Sequence, residues 1–132
     1  MKKQPQLVLI RVNEALGIHP FLRETNVSGV YPALGIAYLA GATRAGGFPV
    51  SVIDAHALDL DLETLARRIV EINPEVIGLT STTFNWPVVA AVARHLRSVL
   101  PEATMMVGGP HLSLYPVESM EERAFDVAII GE

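Results

Sequence analysis

Five short apolar runs recur along the chain, and between them lie segments with helical character. The runs are Leu7–Val12, Pro49–Asp54, Glu75–Thr80, Thr104–Val107 and Phe125–Ile130. The first is nearly continuous in apolar residues rather than alternating, which marks a strand buried on both faces of a parallel sheet. Between the first two runs, Pro32–Gly46 reads as a helix, with Pro32 at a first helical position and Gly46-Gly47 as its stop. It is apolar almost all round, with Thr43 and Arg44 as its clearly polar residues, so the sequence predicts a largely buried helix. Its small residues Gly35, Ala37, Gly41 and Ala42 would let it lie close to a sheet. The next helix is amphipathic: Leu62, Leu65, Ile69 and Ile72 share one face, and Asn73-Pro74 ends it. A third carries Val89, Val92, Leu96 and Val99 on its core face, with Asn85 as its cap and Pro87 in its first turn. Pro116–Arg123 is a short acidic helix candidate.

Strand and helix alternate throughout, which implies a parallel sheet with helices on both faces. Right-handed crossovers narrow the topology further. Five strands suit the flavodoxin-like (Rossmann-like) doubly wound order 2-1-3-4-5 in three layers, α/β/α. At 132 residues the chain is expected to be one domain. Half of it is hydrophobic and 18% is charged, which supports a filled core and argues against disorder. It has no cysteine, so it offers no disulfide, thiolate zinc site or iron–sulfur cluster. That fits a reducing compartment, and with no signal peptide visible the cytoplasm is the expected location. No run approaches the ~20 apolar residues of a membrane span. A net charge of −4 without a basic stripe gives no reason to expect nucleic acid. Because Val127–Glu132 follows a strand-like run with no covering element after it, we expect a fragment of a longer protein.

In open parallel sheets, ligands bind beyond the carboxyl ends of the strands at the point where strand order reverses, here between the first and third strands. The third run ends in four hydroxyls, Thr80-Ser81-Thr82-Thr83, which can both donate and accept toward a heterocycle, ribose or phosphate. The competing reading has them capping the next helix or bonding backbone. The fourth run ends in Gly108-Gly109-Pro110-His111, where paired glycines permit positive φ and close approach. Asp54-Ala55-His56 could serve a metal or acid–base role, but it follows the predicted edge strand and reads better as an exposed strand end. The long loop Asn13–Tyr31, with Glu14, His19 and Arg23, is expected to wall the switch point. No G-x-G-x-x-G follows the first strand and no Walker lysine motif occurs. A phosphoacceptor receiver would need acidic residues where this chain has Asn13-Glu14 and Thr80-Ser81.

Five marks in order carry a family resemblance: Tyr31–Ala40, Val52–Ala55, Asn73–Ser81, Val107–His111 and Asp126–Glu132. With them the chain resembles the N-terminal cobalamin-binding domain of cobalamin-dependent radical S-adenosylmethionine enzymes, a group of methyltransferases and an oxidative cyclase of magnesium-porphyrin synthesis. The resemblance implies that the nucleotide tail of cobalamin enters the carboxyl edge of the sheet. Thr80, Ser81, Thr82 and Thr83 would bond its base or ribose; Gly108, Gly109 and His111 match the fourth-strand motif; Gly131 and Glu132 would border the base. It also implies a partner, a catalytic domain following Glu132 that carries a 4Fe-4S cluster and S-adenosylmethionine. The chain departs from the D-x-H-x-x-G pattern whose histidine ligates cobalt, since its first strand runs into Asn13-Glu-Ala-Leu-Gly-Ile-His19. Two other readings stand beside this one: a degenerate domain that orients substrate without a cofactor, and a flavodoxin-like binder of another nucleotide such as flavin. Phe84 and Trp86 are the only aromatics near the predicted site, which makes flavin stacking less attractive.

Overall fold

A computed structural model describes residues 5–17 and 31–131. The five strands are β1 (Leu7–Arg11), β2 (Val50–Asp54), β3 (Val76–Thr80), β4 (Thr104–Gly108) and β5 (Val127–Ala128). They form one sheet in the order β2-β1-β3-β4-β5. Every pairing is parallel, with Leu9 level with Val52 on one side and Gly78 on the other. The expected doubly wound flavodoxin-like architecture is therefore the one observed. The switch point lies between β1 and β3, since the chain leaves β1 toward β2 and later returns across it.

Alternation along each strand divides the core in two. Val8 and Ile10 of β1, Ile77 and Leu79 of β3, and Met105 and Val107 of β4 point to one face. There they meet α2 (Leu62–Ile72) through Leu65 and Ile69, and α3 (Trp86–Val99) through Val89, Val92 and Leu96. Leu7 and Leu9 point to the other face and meet α1 (Leu34–Ala45) through Ile36, Ala40 and the adjoining Ala33. Local signals set the helix ends. Asp61 caps α2 by accepting from the Thr64 amide at 2.7 Å, and Asn73 closes it in the left-handed conformation at φ 50°.

Several boundaries differ from the sequence expectation. Within the described residues α1 buries only Ile36 and Ala40, while Leu34 and Tyr38 are 74% and 83% exposed, so the apolar helix is not a buried one. Val99 is exposed because the last turn of α3 runs past the core; Leu100, folding back, packs there instead. Asn85 precedes α3 but makes no side-chain cap to it. The acidic helix candidate Pro116–Arg123 is helical only over α5 (Pro116–Ser119), and a further short helix, α4 (Pro110–Leu114), precedes it, separated where Pro116 offers no N–H to continue it. Regular pairing of β5 covers only Val127–Ala128, because Phe125 turns into the core and Asp126 accepts from the Met105 amide at 2.8 Å. Among the described residues no helix is long and apolar enough to cross a membrane.

Candidate functional site

The side chains of Leu7, Leu9, Thr80 and Met106 leave the sheet on the α1 side, where they line a groove with Ile36, Leu39 and Ile129. Gly78, Gly108, Gly109 and Gly131 complete its wall, and its volume is about 360 Å³. It follows the sheet beneath α1 and reaches the carboxyl edge at Thr80, Gly108 and Gly131. The walls are apolar apart from Thr43, Thr80 and the backbone around the glycines. A concave apolar site with few polar groups at one end suits a small organic ligand.

The glycines serve different ends. A Cβ on Gly108 would stand 3.7 Å from Ile129, an ordinary contact, so a larger side chain there would grow into the groove. Gly109 has φ +102°, and a Cβ there would lie 2.4 Å from the Ser81 carbonyl oxygen. Its missing side chain makes room for the β3 loop itself. That approach is sealed by hydrogen bonds: the Ser81 amide donates to Gly108 O at 2.9 Å, Ser81 Oγ donates to the same oxygen at 3.1 Å, and the His111 amide donates to Ser81 O at 3.3 Å. At Gly78 a Cβ would meet Leu9 Cδ2 at 2.8 Å, so this glycine lets Leu9 lean across β3. Gly131, with φ +79°, has open space where its Cβ would be and donates its amide to Ser113 Oγ at 3.3 Å.

The four consecutive hydroxyls separate in the same way. Ser81 is fully buried on Gly108 O. Thr82 forms a reciprocal pair with Asn85: its amide donates to Asn85 Oδ1 at 2.8 Å, and its hydroxyl accepts from the Asn85 amide at 3.3 Å. Thr83 Oγ1 lies 3.2 Å from His111 Nδ1. Thr80 remains: its side chain lines the groove, and among the described residues its hydroxyl makes no hydrogen bond.

His111 faces away from the groove. It is buried, stacked on Trp86 with ring centroids 4.5 Å apart, and in tilted contact with Tyr115. Burial penalises the imidazolium and holds its pKa below the ordinary histidine value. Trp86 is engaged in this stack and with Phe125, on the side of the sheet opposite α1. Of the predicted site residues, then, the structure brings Thr80, Gly108, Gly109 and Gly131 together on the groove. Ser81, Thr82, Thr83 and His111 instead bond into the loops behind it. Glu132, His19 and Arg23 lie outside the described residues. At β2, Asp54 Oδ1 accepts from the Ala57 amide at 3.0 Å and Oδ2 faces Arg11 at 3.6 Å, the local duties of a strand end. Sequence reasoning passed over the apolar lining Leu9, Leu39, Met106 and Ile129; the one available signal was the strand alternation, which places Leu9, Met106 and Ile129 but not the helical Leu39.

A family model described as "B12 binding domain" matches residues 24–132. Over 102 residues the chain is 32% identical to an uncharacterized methyltransferase of Pyrococcus horikoshii, with 76% of this chain and 22% of that protein covered. Over 124 residues it is 31% identical to the anaerobic magnesium-protoporphyrin IX monomethyl ester cyclase of Rubrivivax gelatinosus, covering 89% of this chain and 22% of the cyclase. The chain thus spans about a fifth of the length of these curated relatives. Among solved structures, a CheY-like protein from Pseudomonas aeruginosa superposes with a TM-score of 0.62 at 15% identity, covering 96% of this chain and 87% of that one. At that identity the likeness is one of fold alone.

Proposed function

The chain belongs to the B12-binding domain family, and from that premise we propose that it holds cobalamin by receiving the nucleotide tail in the groove beneath α1. The observation that carries this reading is the pairing of the Thr80 hydroxyl, unbonded among the described residues, with a side-chain-free wall at Gly108, both at the carboxyl-edge end of an apolar groove. The groove suits the group. Its volume of about 360 Å³ falls within the ordinary range for small-molecule sites, roughly 300–1,000 Å³. A side chain at Gly108 would take up that space.

When bound, cobalamin supplies a cobalt centre able to carry a methyl group or an electron. The protein's part is to bind and orient it. Leu9, Leu39, Met106 and Ile129 exclude water from the heterocyclic base. Thr80 Oγ1 offers a donor and acceptor to base or ribose. Gly108 and Gly131 let the tail pass close to backbone, while Gly109 lets the Ser81 loop close in behind them. Ser81, Thr82, Thr83 and His111 keep the loops in the shape that presents Thr80. No D-x-H-x-x-G follows β1, so tail and corrin contacts carry the affinity without that histidine. Since relatives extend well beyond the matched part, we further propose that the domain presents cobalamin to a radical S-adenosylmethionine catalytic domain in the same polypeptide, and that by itself it binds without turnover.

Titration with hydroxocobalamin followed by desalting tests this. Corrinoid absorbance should travel with the wild-type domain. Thr80→Val should weaken binding by roughly tenfold, the worth of about one hydrogen bond, and Gly108→Leu should abolish it while leaving the circular dichroism spectrum intact. If no corrinoid stays with the folded wild-type protein, the reading fails, and the domain serves as a structural element. Binding of added flavin in its place would assign a different nucleotide.

A further inference from the structure

A chain of polar contacts crosses the carboxyl edge of the sheet and joins loops remote in sequence. Asn13, just past β1, is buried and donates through Nδ2 to Asp59 Oδ1 at 2.9 Å and to Leu60 O at 3.2 Å. Its Oδ1 accepts from the Ala15 amide at 3.1 Å, which opens the 3₁₀ turn Glu14–Gly17. The next residue, Glu14, accepts from Asn85 Nδ2 at 3.2 Å, across 71 positions of sequence. Asn85 is itself buried and accepts from the Thr82 amide at 2.8 Å. The line therefore runs from the loop after β2, through the end of β1, to the hydroxyl loop after β3. Ser81 continues it to Gly108 on β4.

Within this line the Glu14–Asn85 contact is the one that spans the switch point. We propose that Asn85 and Glu14 are positioning residues: they pin the hydroxyl loop to the end of β1 and so fix Thr80 at the mouth of the groove. Asn85 suits the task because a single amide does two things. Its oxygen holds the Thr82 amide and its nitrogen reaches Glu14. An aspartate could do only the first, and it would set a second carboxylate against Glu14. The cost of a buried partner left unsatisfied makes this tie selective for an amide facing a carboxylate. The inference rests on the proposed cobalamin site for its functional consequence but not for its structural one.

A donor–acceptor swap tests it. Asn85→Asp keeps the acceptor for Thr82 while breaking the tie, and should weaken hydroxocobalamin binding by about tenfold. Glu14→Gln alone keeps an acceptor oxygen and should change binding less than about threefold. In the double variant the amide and the carboxylate exchange places with net charge unchanged from the wild type, and affinity should return to within about threefold of wild type. Hydrogen exchange without ligand supplies an independent reading. Asn85→Asp should speed exchange in both 13–17 and 80–85, and the double variant should restore it. Wild-type affinity in Asn85→Asp, or no recovery in the double variant, overturns the proposal. If the wild type binds no corrinoid, the cofactor reading falls, and the exchange pattern alone upholds or overturns the tie.

Discussion

The two faces of the sheet are built on opposite terms. On the α2/α3 face, β1, β3 and β4 meet two helices whose apolar residues recur at helical spacing, and Leu65, Ile69, Val89 and Leu96 have no exposed surface. On the α1 face the buried cluster among the described residues is Leu9, Ile36, Ala40 and Val50, and within those residues β3, β4 and β5 carry a groove rather than a helix. The helix on the poorer face is the more apolar by composition, yet it leaves Leu34, Tyr38 and Leu39 exposed. A packed face carries stability; a face left open keeps space in which a ligand can be held. On the open side Gly78 gives its space to Leu9, while the absent side chain of Gly108 leaves space in the groove.

The largest test of this contrast is a truncation on the packed face. Leu65→Ala should cost about 2–5 kcal/mol in urea unfolding, as buried leucines do when they leave a cavity; a loss below about 1 kcal/mol would mean that the face is not the stabilising one. A smaller effect separates the faces by pH. Burial lowers the pKa of His111 in the folded chain, so the unfolded chain takes up its proton first as pH falls. Its contribution to stability is full above about pH 6.5, the ordinary histidine value, and is lost as pH falls from there through the lowered folded value. His111→Phe should flatten the stability profile in that window, and an unchanged profile would place the imidazole in water rather than against Trp86. The smallest effect belongs to the open face: Tyr38→Ser should alter stability by less than about 0.5 kcal/mol. A loss above about 1.5 kcal/mol would show that the outer side of α1 is covered in solution.

Much of the fold was legible because its signals are local. Apolar runs of strand length, helical spacing at Leu62, Leu65, Ile69 and Ile72, and the stops at Gly46-Gly47 and Asn73-Pro74 depend on neighbours within a few residues. They set the element order, and crossover handedness narrowed the sheet order to the flavodoxin-like one that is observed. The same rules misjudged α1, because composition reports how apolar a helix is and not how much surface lies opposite it. The ordered family marks pointed to cobalamin, in keeping with the family match.

The division of labour among Thr80, Ser81, Thr82 and Thr83 was a tertiary matter. In sequence these are four hydroxyls in a row, equivalent as donors and acceptors. Their partners arrive from elsewhere: Gly108 from the end of β4, His111 from beyond it, and Glu14, through Asn85, from beyond β1. Gly108 and Gly109 were likewise indistinguishable until one was seen to face the groove and the other the Ser81 carbonyl. The sequence by itself determined that a hydroxyl loop and a glycine pair end successive strands of a doubly wound sheet, and the expected order 2-1-3-4-5 sets those strands side by side next to the switch point. Only the tertiary structure decided that Thr80 stays free while its neighbours are bonded, because a short-range directional bond is assigned by which loops come within about 3 Å of each other, and no local pattern encodes that distance.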